Sequence, residues 1–372
     1  MRALVLHGPG DLRLEDVEAP EPPRGWLLLR SVAVGICGTD KAFYRGSYRP
    51  PKLPLIPGHE AAGLVVAAPP EWRNLLGHLV VPEINMVSPE DMWREPCRSG
   101  LYIHCPAPVK KTLGIDYDGA LAEYFVAPPH LVHVVDDLEP EAATAVEPLA
   151  AVLKAFRLAP PQPGDTAAVI GTGFIALLAA QVLRSVYGID PVVVARRDSP
   201  KKRLAEGLGL RVLTLEEARE EARRRGRWGM GFDQVFEATG TPDGLAAALE
   251  LVRPRGVVHV KSTHGLPAQV DQTRLVVNEV RLVPSRCGTG REFVYAIELI
   301  RSGRVKVKEL ITRVYWGLER GVEAFRAALE RSSVKIVVRV SKTPWELGWR
   351  PCAAPRARVL SSPTPLGASP AL

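Results

Sequence analysis

The stretch Ala168-Val-Ile-Gly-Thr-Gly-Phe-Ile-Ala176 decides how the rest of the chain is read. It places Gly171, Gly173 and Ala176 between an apolar run ending at Ile170 and an amphipathic run opening at Phe174, which is the strand, tight turn and helix that bind a dinucleotide. Gly171 permits the turn, Gly173 lets the backbone approach a pyrophosphate, and the small Ala176 lets the helix lie close on the sheet. The helix N-terminus then offers free N–H groups and a positive dipole end to the phosphates. Glycines punctuate many turns, so the string carries weight only through its surroundings.

On its C-terminal side, strand-like runs at 166–170, 191–195, 232–237, 256–260 and 280–283 alternate with helical runs at 174–186, 201–208, 216–225 and 243–251. This βαβ alternation implies a doubly wound parallel sheet. Helices near 292–301 and 318–329 and a β-branched strand at 334–340 are expected to return to the first domain. The second strand runs into Arg196 and Arg197, where an NAD site usually carries an acid. Two arginines suit the 2′-phosphate of NADP, so NADP is expected to be preferred over NAD; the competing reading leaves both in solvent. Ala238-Thr239-Gly240 follows the strand ending at Glu237, on the carboxyl edge where ligands bind. These residues are expected on the nicotinamide side, a simple turn being the alternative.

On the N-terminal side, the first 150 residues are rich in Gly and Pro, with short runs such as 26–34 and 61–67 that suggest an irregular all-β domain. Two motifs there carry chemistry: Gly35-Ile-Cys-Gly-Thr-Asp40 and Pro57-Gly-His-Glu60. Cys37 as thiolate and His59 as neutral imidazole are zinc donors, and a carboxylate from Glu60 or further along would complete a site with an open position. Zinc there would act as a Lewis acid on an alcohol oxygen. Taken singly, Cys37 also reads as a small buried hydrophobe and His59 as a hydrogen-bonded core residue.

With these motifs in this order, the sequence resembles the zinc-containing medium-chain dehydrogenases/reductases of the alcohol dehydrogenase superfamily, over nearly everything before Ser341. The resemblance implies an α/β fold: a GroES-like irregular β-barrel catalytic domain, 1–150 completed by 285–341, plus a Rossmann domain, 151–284. It implies that Cys37 and His59 bind a catalytic zinc, that Thr39 bonds the substrate oxygen and starts a proton relay, and that Asp40 orients His59. Glu147 stands in the region of the third ligand, acting directly or through water, with Glu60 exchanging into the shell. The expected reaction is reversible hydride transfer between a secondary alcohol, polyol or sugar and NADP, near the glucose, sorbitol and threonine dehydrogenase branches. Phe43 stands where threonine-dehydrogenase-like sequences tend to carry His, which argues against that activity.

The family's four-cysteine structural zinc lobe is half missing. Cys97 and Cys105 keep the last spacing, but Asp91 and Arg94 precede them, and Arg94 cannot ligate. One zinc per chain is expected, with Cys97 and Cys105 free, disulfide-bonded or, less favoured, metal-bound. Lys41, Arg45, His264 and Arg286 offer hydrogen bonds to sugar hydroxyls, or simply occupy the surface.

Bulk properties fit this reading. Of 372 residues, 46% are hydrophobic and 24% charged, and no apolar run approaches the length of a membrane span. The net charge of +7 comes from basic residues interspersed with acids, so a solvated surface is favoured over nucleic-acid binding. The start shows no secretory pattern, and a cytoplasmic homodimer or homotetramer acting on a small molecule is expected. The last 31 residues, 342–372, are rich in Pro, Ser and Ala and read as a disordered tail. Two rivals remain: a zinc-free quinone or enone reductase on the same scaffold, and a non-catalytic NAD(P)-bound protein that contacts RNA.

Overall fold

The computed structural model describes residues 1–106 and 109–347. Among them, six strands form a parallel sheet in the order Arg211–Leu213, Val192–Val194, Ala167–Ile170, Phe232–Glu237, Val252–Val260, Arg281–Pro284. The apolar runs read from sequence are its central strands, covered on both faces by helices, as all-parallel strands must be. The strand ending at Ile170 lies where the order reverses, so the chain leaves it into the crevice that open α/β sheets use for ligands. The helix Phe174–Tyr187 starts there, and Ala176, Ala179 and Ala180 are fully buried along its inner face.

A second, seven-stranded sheet runs Ile311–Trp316, Lys335–Arg339, Leu27–Gly35, Glu60–Ala67, Leu79–Pro82, Val132–Val134, with Tyr124–Ala127 also paired to Leu27–Gly35. Lys335–Arg339 pairs antiparallel with Leu27–Gly35: Val337 faces Gly35, Val338 faces Val34 and Arg339 faces Ala33. Helix Val146–Leu158 joins the two sheets. Its Val146, Leu149 and Val152 share one apolar core with Ala62 and Leu79 of the barrel and with Val169 of the parallel sheet. The two halves are thus held by a common interior.

The start of the expected disordered tail is ordered, which corrects that reading for 342–347. Thr343 is buried, and its N–H and Oγ1 each donate to Glu346 Oε2 at 2.6 Å. Arg339 Nη2 donates to the same carboxylate at 2.7 Å. Thr-x-x-Glu is a capping-box pattern, a local device that composition does not register. Cys352, Trp349 and the rest of the tail lie outside the described residues.

The parallel sheet also contains a built-in acid sensitivity. His259, in Val252–Val260, is fully buried beside Phe156 and Phe236, with Nε2 3.0 Å from Gln234 Oε1. Burial pushes its pKa down to about 4. The folded state therefore favours neutral imidazole, and this contribution is complete above about pH 6.5 and lost as pH falls towards 4, with a ceiling of about 3 kcal/mol. Denaturant midpoints should fall across that window in the parent protein and fall less steeply in His259→Gln. An unchanged slope in the variant would assign the acid loss to other groups.

Candidate active site

The strand Leu27–Gly35 ends against the first motif, and Cys37 caps the helix Gly38–Arg45. The Cys37 N–H donates to Asp40 Oδ2 at 2.8 Å, so the helix start fixes the Asp40 carboxylate. Its other oxygen accepts from the Gly58 N–H at 3.4 Å and lies 3.6 Å from His59 Nδ1. Asp40 is fully buried, and this one carboxylate joins the two motifs. His59 Nδ1 is buried and has no hydrogen-bond partner among the described residues.

Burial pulls the His59 pKa down, but Asp40, then Cys37 and Glu147, outweigh it and hold the imidazole well above its ordinary value. The Cys37 side chain interacts directly with the His59 ring, while Glu147 acts on it through its charge. Glu147 sits in the first turn of Val146–Leu158 at 8% exposure. Burial pushes its carboxyl up to about 7, with Glu60 adding to the shift and His59 opposing it. Thr39 follows in the capped helix, half-buried.

Glu60 is placed differently from the other three. Its carboxylate is held by the Lys335 ammonium, which also donates to the Ile36 carbonyl at 3.3 Å and lies 4.3 Å from the Phe174 ring centroid. Among the described residues, no three His, Cys, Asp or Glu side chains stand close enough to hold a metal ion as they are. Glu60 is spent on Lys335 and Cys37 faces His59. The donor chemistry of Cys37, His59 and Glu147 nevertheless fits zinc: one thiolate, one imidazole and one carboxylate, with the second imidazole nitrogen turned to a buried acid. Lys335 was missed in the sequence, although a lysine inside the run Val334-Lys-Ile-Val-Val-Arg-Val340 is a signal, since a buried ammonium needs a partner.

The dinucleotide turn has the geometry its glycines predict. Gly171 has φ +115°, and a Cβ there would stand 2.7 Å from the Ala238 carbonyl oxygen. The turn therefore passes directly against residues 238–240. Gly173 is the N-cap of Phe174–Tyr187, with nothing within 4 Å of where its Cβ would be. Buried Glu237 organises the neighbouring turn: its Oε1 accepts from the Thr239 N–H at 2.8 Å, Thr239 Oγ1 at 2.7 Å and Ser262 Oγ at 2.8 Å. Ser262 Oγ in turn accepts the Gly240 N–H at 2.8 Å.

Arg196 and Arg197 are exposed just beyond Val192–Val194, and neither side chain forms a hydrogen bond or ion pair with a described residue. A cavity of about 370 Å³, lined by Glu237, Thr241, Ser262 and His264, reaches across to Tyr48 of the first domain. Of the other candidates, Phe43 is buried against Tyr48, Arg45 bonds the Leu329 carbonyl at 3.3 Å, and Lys41 is lowered in pKa by burial. Cys97 and Cys105 form a disulfide, Cα to Cα 6.0 Å, one of the arrangements the sequence left open.

The sequence matches the alcohol dehydrogenase GroES-like domain over residues 23–137 and the zinc-binding dehydrogenase family over residues 175–302. It is 26% identical to D-arabitol-phosphate dehydrogenase of Enterococcus avium over 346 residues, covering 91% of this chain and 97% of that protein. It is 30% identical to L-threonine 3-dehydrogenase of Pyrococcus horikoshii over 349 residues, covering 91% and 98%. A zinc-binding dehydrogenase from Sinorhizobium meliloti 1021, solved with NADP bound, superposes with a TM-score of 0.79 at 25% identity, covering 91% and 98%. Among the described residues, no helix is long and apolar enough to cross a membrane.

Proposed function

Since the chain belongs to the medium-chain dehydrogenase/reductase superfamily and is an alcohol or polyol dehydrogenase, we propose that it works with one catalytic zinc per chain and prefers NADP. The observation that carries this reading is the buried Asp40 carboxylate, which fixes Cys37 through its N–H and faces His59 Nδ1. Cys37, His59 and Glu147 would hold the metal, with Glu60 exchanging in when released by Lys335. Bound there, zinc would supply Lewis-acid polarisation of an alcohol oxygen, and a nicotinamide in the crevice would supply the hydride acceptor.

The chain's own residues do the rest. Thr39 accepts the substrate's hydroxyl proton into a relay, while Asp40 fixes the orientation of the His59 ring. Gly171, Gly173 and Ala176 let the pyrophosphate reach the helix N-terminus, and 238–240 line the nicotinamide side. The similarity to an enzyme named for arabitol phosphate and the carboxylate at Glu147 support a polyol or sugar substrate. Metal analysis, together with a screen of alcohols, polyols and aldoses for NADP reduction, tests the reading. Activity confined to quinones or enones in a zinc-free protein would replace it.

NADP preference rests on the unpaired Arg196 and Arg197. Charge-assisted bonds of about 1.5–3 kcal/mol each make these groups decisive for a 2′-phosphate. Arg196→Ala with Arg197→Ala should raise the KM for NADP at least about tenfold and move the NADP-to-NAD ratio of kcat/KM to one or below. A parent enzyme that uses NAD as well as NADP would remove the assignment.

Self-association is also proposed. Strand Arg281–Pro284 is an open sheet edge, and Val276 and Val277 on the adjoining helix are 69% and 73% exposed. Light scattering should give a dimer or tetramer. A cytoplasmic setting is proposed as well, and it requires the Cys97–Cys105 bond, buried at both residues, to resist the thiol pool.

A further inference from the structure

The face of Val146–Leu158 that carries Glu147 also carries a lysine that the proposed chemistry does not use. Lys154 follows by seven residues, two helical turns, which puts it on the same side about 10 Å further along. The residue as a whole is only 9% exposed, but its ammonium keeps access to solvent and forms no hydrogen bond or ion pair with any described residue. An ammonium carries three donors, and one that no protein group engages is free to take an anion.

Two other cations meet it there. The loop after Arg281–Pro284 lies flat on this helix, since a Cβ on Gly288 would stand 2.5 Å from Ala150 Cβ, between Glu147 and Lys154. From that loop Arg286 reaches across to the Ile103 carbonyl. Lys261 Nζ donates to Ser285 O at 3.1 Å and lies 3.3 Å from Ser285 Oγ. Cys287, between them, interacts with Lys154, Lys261 and Arg286.

The acids facing the group are Glu147 and Glu292. Glu292 is already occupied, accepting from Arg157, from the Thr289 N–H at 3.0 Å and from Thr289 Oγ1 at 2.7 Å. Lys154, Lys261 and Arg286 are therefore neighbours around Cys287, beside the helix that carries the candidate zinc ligand.

We propose that Lys154, Lys261 and Arg286 seat the phosphate of a phosphorylated polyol, whose hydroxyl at the other end of a short carbon chain lies against Cys37, His59 and Glu147. A dianion matches three cations better than a carboxylate does, and the guanidinium fork suits phosphate oxygens. The rise of about 10 Å along the helix is between backbone positions, and the long, flexible Lys154 side chain can bring its ammonium nearer, within reach of a terminal phosphate on a pentitol. The location rests on the dehydrogenase reading; the anion seat rests on the cluster itself.

Calorimetry on the NADP-loaded protein would test this with ribitol, xylitol and arabitol, each beside its terminal phosphate and its aldonate. At least one phosphate should bind ten times more tightly than its parent pentitol, with inorganic phosphate competing. Lys154→Gln should lose at least tenfold of that affinity and Lys154→Arg less than threefold; Arg286→Gln serves if the first variant does not fold. Equal binding of every pentitol and its phosphate, or an aldonate binding as tightly as the phosphate, overturns the proposal. A phosphate that binds tightly and is never oxidised leaves the anion seat standing and overturns the placement of its hydroxyl against Cys37, His59 and Glu147.

Discussion

Exchange of Cys37 for serine is expected to lower kcat/KM by about a thousandfold, the several kcal/mol that a Lewis acid contributes to the barrier. The variant should also retain well under one zinc per chain. A serine hydroxyl stays protonated where a thiolate would ligate, so the donor is lost. The fold should survive, because Cys37 holds Asp40 through its backbone N–H, which serine keeps. Metal content, NADP-reduction kinetics and circular dichroism on one preparation separate the three quantities. Full activity in a metal-free Cys37→Ser protein would overturn the zinc mechanism.

The second large effect concerns stability. Lys335→Met should destabilise the protein by about 3–5 kcal/mol, because it leaves the buried Glu60 carboxylate facing an apolar side chain. Glu60 Oε2 occupies the space that a side chain at Gly35 would need, 2.5 Å from where a Cβ would be. Adding Glu60→Gln to Lys335→Met should recover much of the loss, because the cost comes from an unpaired charge rather than from missing packing. Urea unfolding of the two single variants and the double variant gives the coupling. A double variant no more stable than Lys335→Met alone would show that Lys335 acts through its contact with Phe174 instead.

Features that repeat or have a fixed spacing were legible in the sequence. The alternation after Asp165 marked the parallel sheet, and Gly171 and Ala176 marked the turn, because a positive φ at the first and close helix–sheet packing at the second restrict those positions to small residues. Cys37, Asp40 and His59 were recognisable through two short motifs that fold beside each other. The Lys335 ammonium and the cluster of Lys154, Lys261 and Arg286 were not assembled from sequence, because each meets its neighbours only after strands far apart in the chain pair. The ordered turn at Thr343 was hidden by a tail whose average composition is that of an unfolded segment.

The pairing of Lys335–Arg339 with Leu27–Gly35 also sets a timetable for synthesis. Ile36 and Lys335 are 299 positions apart, so at about 5–20 residues per second the barrel strand waits about 15 to 60 s on the ribosome for its neighbour. Every strand of the parallel sheet lies within that interval of sequence. The cofactor half can therefore close while the half that holds Cys37 and His59 is still incomplete, with Glu60 waiting for the lysine that neutralises it.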